Sequence, residues 1–125
     1  MRKFKKYIAK GISESLEKVP SHGKAPFKRL VMLNNNLIAN TKTFISVHLI
    51  KSLPKTFPSY SKLHKHKYNE INLIISVNSK LVYKIGLEDE IYKVASPATI
   101  FITKGIRHRA EVISGEGIFV VIKEK

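Results

Sequence analysis

The chain predicts an all-β fold, a sandwich or small barrel of antiparallel strands preceded by a short helix. Three observations carry that expectation. From residue 71 onward, the runs INLIISV, KLVYKI, EIYKV, ATIFI, AEVI and GIFVVI follow one another, each four to seven residues long and rich in Ile, Val, Tyr and Phe. The turn signals NSK, GLED, SPA, KG and SGEG separate them, with no stretch of helical length in between. Strands without intervening helices exclude a βαβ plan and favour hairpin-connected sheets. Finally, 125 residues without a cysteine make one domain that can bury a core without disulfides or thiolate metal sites.

Taken in order, residues 4–19 place Phe4, Ile8, Ile12, Leu16 and Val19 at helical spacing, with Gly11 inside and Pro20 and Gly23 closing the segment. Residues 1–22 are therefore expected to form a basic N-terminal helix or arm, and 23–125 a single barrel domain. In LVMLNNNLIANTKTFISVHLI, residues 30–50, short Val-, Ile- and Phe-rich runs broken by asparagines read as strands and turns. Pro54 and Pro58 mark a loop, after which the strand series begins.

The formal net charge is +14, and residues 1–30 hold nine Lys or Arg against two acids, half of the excess. A charge of that size speaks to solubility and non-specific binding rather than to fold. It accompanies no helix-turn-helix spacing and no aromatic RNA-binding motif, so a nucleic-acid-binding protein stands third among the functional readings and rests on charge alone. The longest aliphatic or aromatic run, Ile118 to Ile122, is far too short to span a bilayer, and no signal-peptide run follows the basic start. A soluble, cytoplasmic chain without membrane association is expected.

The chemistry concentrates in LHKHKYNEI, residues 63–71. On an extended strand His64 and His66 project to one side, about 7 Å apart, and Glu70 shares their parity. Alone, the pattern fits a pair of surface histidines as well as it fits a metal site. Downstream, ATIFITKGIRHRAEV runs from a strand through a turn at Lys104-Gly105, where glycine suits positive φ, and delivers His108 at the start of the next strand.

HKHKYNE followed, after a hairpin, by TKGIRH resembles the two motifs of the cupin superfamily: His-x-His with Glu three or four residues on, then Pro-x-Gly-x-x-His. The resemblance covers residues 45–122. Thr103 stands where the family pattern has proline, Val112 where it has asparagine, and Pro58, Val77 and Pro97 where it has glycines. The resemblance implies a jelly-roll (double-stranded β-helix) barrel with one divalent transition metal ion inside, and His64, His66, Glu70 and His108 as its ligands. Three imidazoles and a carboxylate suit Fe, Mn, Ni, Zn, Co or Cu. On an octahedral ion such a set leaves two positions open.

The resemblance further implies a homodimer, which would cover apolar strands such as IFVVI, and a small-molecule ligand or substrate. A metal-dependent enzyme of oxygenase, decarboxylase or isomerase type, acting on a small oxygenated or acidic molecule, leads, with a dioxygenase-like activity first. A non-catalytic small-molecule-binding sensor is the alternative. Catalytic residues beyond the ligands are not assigned by the sequence. Among the remaining candidates, His22 and His48 lie outside both motifs, and His48 reads as a packed or rim residue. Tyr68, Asn72, Ile74 and Ser76 share parity with the ligands and, with Tyr83 and Phe101, are expected to line the interior. Arg107 and Arg109, and Lys62, Lys65 and Lys67, should point outward.

Overall fold

A computed structural model of the chain describes residues 2–16, 25–78 and 80–125. Among these residues nine strands form two antiparallel sheets. The larger runs, from edge to edge, β1 (Ile12–Glu14), β2 (Lys28–Leu33), β3 (Thr43–Ile50), β9 (Gly117–Glu124), β4 (Asn69–Ile75) and β7 (Ala98–Ile102). The smaller is β6 (Glu90–Ala95), β5 (Leu81–Leu87) and β8 (His108–Gly115). The strand runs expected from residue 30 onward are all present, and in β2, β3, β4, β7 and β9 period-two alternation buries one face. In β4, for example, Glu70, Asn72 and Ile74 are buried while Ile71, Leu73 and Ile75 look outward.

The core lies between the sheets. Tyr83 of β5 stacks on Phe119 of β9 at 4.2 Å between ring centroids, tying one sheet to the other beside the fully buried Ile74. Burial of such a side chain contributes roughly 1.5–3 kcal/mol. The β8–β9 connection needs its glycines. Gly117 has φ +150°, and a Cβ there would sit 2.2 Å from the Ile75 carbonyl oxygen.

Over the described part of the N-terminal segment, residues 2–16, the continuous helical reading changes. Lys5–Tyr7 forms a 3₁₀ turn, and Ile12–Glu14 is a strand that pairs antiparallel with β2, Ile12 opposite Val31 and Glu14 opposite Arg29. Two physical reasons account for this. Phe4 and Ile8 are 63% and 80% exposed, so the helical stripe finds no apolar surface to cover. The outer edge of β2 offers unpaired N–H and C=O groups that an extended segment satisfies. Val19 and His22 lie outside the described residues. Two interior expectations also change. Phe101 points outward and is 58% exposed, because Ile100 and Ile102 take the inward positions of β7. Ser76 follows the end of β4, where its hydroxyl donates to the Glu116 carbonyl at 2.7 Å.

Register decides what faces the interior of the larger sheet. One row crosses it as Glu14, Arg29, His48, Phe119 and Ile74. The next is Ile12, Val31, Ser46, Val121, Asn72 and Ile100. The third is Phe44, Lys123, Glu70 and Ile102. Ser46, Asn72, Glu70 and Lys123 thus lie toward one end of the inner face, the polar end, interspersed with Val121, Ile100 and Ile102, while Arg29 and His48 share a row with Phe119 and Ile74.

Candidate metal centre

The four motif residues meet at the polar end. His64 is not within a strand; it makes a single antiparallel bridge to His108, with N–H···O contacts of 3.0 and 2.8 Å in the two directions. The turn after β7 carries the intervening loop. Gly105, at φ +85°, donates its N–H to the His66 carbonyl at 2.9 Å, and the Lys104 N–H donates to Asn69 Oδ1 at 3.0 Å. The second motif therefore holds the backbone of the first, and glycine is required because side chains disfavour that φ.

The ring centroids of His64, His66 and His108 lie 4.5–5.2 Å apart, and one ring nitrogen of each falls within 4.8 Å of the others. Glu70 Oε1 is 3.4 Å from Nε2 of both His66 and His108. Those three atoms are buried and have no hydrogen-bond partner among the described residues. Donors around a single ion with bonds of about 2.1 Å stand roughly 3.0–3.5 Å apart. Glu70 Oε1 stands at that spacing from Nε2 of His66 and of His108, and the three imidazoles are close enough that they could hold an ion.

The surroundings fix each donor. The His64 Nδ1 lies 2.6 Å from the Lys62 carbonyl and the His108 Nδ1 3.0 Å from the Ile106 carbonyl. With Nδ1–H donating there, each Nε2 keeps its lone pair directed inward. The Asn72 amide donates to Glu70 Oε2 at 2.9 Å, leaving Oε1 for the histidines. Tyr68 stacks on His66 at 4.7 Å, beside the site rather than deep in the interior.

Electrostatics agree. Burial, with Lys123 next, pushes His66 down to about 4, and burial likewise lowers His64. Burial opposes ionisation of Glu70, but contact with His108 and Asn72 prevails and holds its carboxyl at about 2. His108 moves the other way: burial disfavours its charge, and the adjoining Glu70 overrides it. Near neutrality the site therefore offers a carboxylate and at least two uncharged imidazoles, the forms that bind metal.

A cavity of about 50 Å³ adjoins the histidines. Arg29, Ser46, His48 and Lys123 line it together with Glu70 and Asn72. Sequence reasoning missed Arg29, Ser46 and Lys123 as site residues; the alternation of KRLVML, TFISVHLI and GIFVVIKE was visible, but not which strands lie beside β4. His48 is packed as expected, between Phe27 at 4.5 Å and Phe119 at 5.6 Å. Arg107 points out to Glu88, and Arg109 Nη2 pairs with Glu111 at 2.9 Å, both turned from the histidines. Glu111 was also missed. Its buried carboxylate accepts from the Ser59 hydroxyl at 2.7 Å and from the N–H groups of Tyr60 and Ser61 at 2.6 and 3.2 Å. It thereby pins the loop that leads to His64. Val112, where the family pattern has asparagine, is core, and its N–H donates to the Tyr60 hydroxyl at 2.8 Å.

No family model matches the chain, and no curated protein matches it by sequence. Solved structures do match. A cupin-2-domain protein of Halorhodospira halophila superposes with a TM-score of 0.61 at 9% identity, over 94% of this chain and 77% of that one. An RmlC-like cupin of Shewanella frigidimarina gives 0.56 at 12% identity, over 79% and 76%. The polyketide cyclase RemF of Streptomyces resistomycificus gives 0.60 at 15% identity, over 98% and 78%. At such identities the likeness is one of fold. The fold is that of the cupins, and within it three histidines are placed where they could hold an ion.

Proposed function

We propose that this chain is a metal-dependent cupin enzyme acting on a small oxygenated or acidic molecule. Its ligands are His64, His66, Glu70 and His108, and its reaction class is oxygenase, decarboxylase or isomerase. One observation carries the reading: Nε2 of His66 and Nε2 of His108 each lie 3.4 Å from Oε1 of Glu70, and all three atoms are buried without any other polar partner among the described residues. A bound divalent ion would supply Lewis-acid polarisation, or a binding position for oxygen, at its open positions. The chain's own groups hold the donors in place: the Lys62 and Ile106 carbonyls orient two imidazoles, Asn72 orients the carboxylate, and the Gly105 turn fixes His66. A sensor with no catalytic role would be favoured by an apolar lumen; the lining of Arg29, Ser46, His48, Asn72 and Lys123 supports the enzyme instead.

A second copy of the chain is proposed to cover the outer face of the larger sheet. There Leu49, Ile118 and Ile75 form one apolar row, and Ile45, Ile122, Ile71 and Phe101 another. Among the described residues no helix is long and apolar enough to cross a membrane.

Elemental analysis of untagged protein tests the metal reading. One equivalent of a divalent transition metal per chain is expected, falling sharply in His66→Ala or His108→Ala while the far-ultraviolet dichroism stays β-like. Full occupancy in a His64→Ala, His108→Ala double variant would place the ion elsewhere.

A further inference from the structure

We infer that the cavity beside the histidines takes the carboxylate of a small organic acid, with Arg29, Ser46 and Lys123 as its anion-binding wall. The inference deepens the metal-dependent reading and rests on it for the other end of the ligand.

The three residues come from β2, β3 and β9, and each points inward by register. Ser46 lies opposite Val31 and Val121, in the row that also holds Asn72, and Lys123 lies opposite Glu70. Ser46 is wholly buried, lines the cavity, and its hydroxyl has no hydrogen-bond partner among the described residues. A buried hydroxyl ordinarily has one. Arg29 is buried as well, and Glu14 of β1 meets its Nε at 3.0 Å, one of the five donors in the guanidinium fork. Lys123 has no carboxylate within 4 Å among the described residues; its ammonium lies 5.2 Å over the Phe44 ring, and burial works against its charge. An anion entering the cavity would give that ammonium, the rest of the fork and the Ser46 hydroxyl a common partner.

Charge and size narrow the class. Arg29 and Lys123 are set against Glu70 and Glu14, so the lining and its neighbour balance near zero, and a divalent ion on the histidines would tip the site positive. A volume of about 50 Å³ admits a group of a few heavy atoms, since about 10–15 Å³ of such space holds one water molecule. A flat two-oxygen carboxylate also suits the Arg fork, which matches that geometry in pairs of hydrogen bonds.

Calorimetric titration of the metal-loaded protein with glycolate, with its neutral analogue glycolamide and with inorganic phosphate tests this. Glycolate should bind at least tenfold more tightly than glycolamide and more tightly than phosphate. Lys123→Gln should cut glycolate affinity tenfold or more with metal content unchanged, Ser46→Ala a few-fold, and Lys123→Arg should restore most of the loss. Glu14→Gln should tighten glycolate binding, a gain that misfolding cannot mimic. Equal affinity for glycolate and glycolamide, a preference for phosphate, or indifference to both Lys123→Gln and Glu14→Gln would overturn the inference. Metal content separates the two readings. Protein that holds no metal yet prefers glycolate in a Lys123-dependent way keeps the anion wall and loses the metal centre. Protein that holds metal but shows no such preference keeps the centre and loses the wall.

Discussion

The inner surfaces of the two sheets differ as much as two proteins might. The smaller sheet turns Leu81, Tyr83, Ile85 and Val112 into the core. The larger turns in Ile74 and Phe119 in one row with Arg29 and His48, and then Ser46, Asn72, Glu70 and Lys123 at its polar end. Apolar and polar groups share the same ladders: β9 alone contributes Phe119 beside His48 and Lys123 beside Glu70. Burying charged and polar groups costs free energy unless each is paired. The apolar residues between the sheets must offset that cost, because Ser46 Oγ and Glu70 Oε1 have no hydrogen-bond partner among the described residues. Stability and chemistry are interleaved along single strands.

Replacements among the inward-facing apolar residues should have the largest effect. Phe119→Ala removes the ring stacked on Tyr83 and should destabilise the protein by about 3–5 kcal/mol. In chemical denaturation this appears as a lower midpoint, while metal content of the folded fraction at low temperature stays near that of wild type. Loss of metal at full folding would mean that Phe119 also supports the site.

Glu111→Ala comes next, because it leaves the buried N–H groups of Tyr60 and Ser61 without an acceptor. A cost of about 2–3 kcal/mol is expected from unsatisfied buried donors. Its effect should reach the polar end, since the freed loop leads to His64, so metal affinity should drop along with the melting temperature. A change in stability alone would show that the His64–His108 bridge holds the loop without help.

Asn72→Ala should act on the polar end only. Loss of the amide that holds Glu70 Oε2 should weaken metal binding roughly 10–100-fold, the usual range for a residue that orients a ligand. Competition against a chelator of known affinity measures it, and an unchanged constant would remove Asn72 from the site.

Acid should separate the groups by sign. His64 and His66 have folded values below the ordinary one, His66 near 4, so the unfolded chain binds more protons and metal-free stability falls as pH drops from about 6.5 towards 4. His108 is raised, so it contributes stability at low pH that is lost as pH rises through its folded value, a partial offset. Glu70, at about 2, and Glu111, also lowered, add stability present above the ordinary carboxylate value and lost as pH falls through their folded values. Metal-stripped protein should therefore melt lower at pH 5 than at pH 7, and the difference should shrink in His66→Ala. An identical melt at both pH values, in wild type and variant, would contradict the burial of these imidazoles.

The smallest effect should come from the outer face. Phe101→Ser should change monomer stability by no more than about 0.5 kcal/mol. If a second copy covers that face, the same change shifts the sedimentation of the protein towards monomer, whereas an unaltered profile would exclude Phe101 from the contact.

The sequence by itself determined the strands from Leu30 onward and the identity of the four residues that meet at the polar end. Alternation follows from backbone dihedrals within a few residues, and the His-x-His, Glu and Gly-x-x-His spacings are local in the same sense. The mechanism of convergence was less legible. His64 and His66 are not in a regular strand, and they face Glu70 through the His64–His108 bridge and the Gly105 turn rather than through parity. Apolar residues four apart in Phe4, Ile8 and Ile12 satisfied a helical period, and only the edge of β2 turned Ile12–Glu14 into a strand. The tertiary structure alone decided the company of Arg29, Ser46, Lys123 and Glu111. Arg29 and Lys123 are separated by most of the chain, and nothing local sets which strand lies beside which. Register between distant strands is chosen by the burial of whole faces at once, and it is register that put two cations, a hydroxyl and a carboxylate around one small cavity.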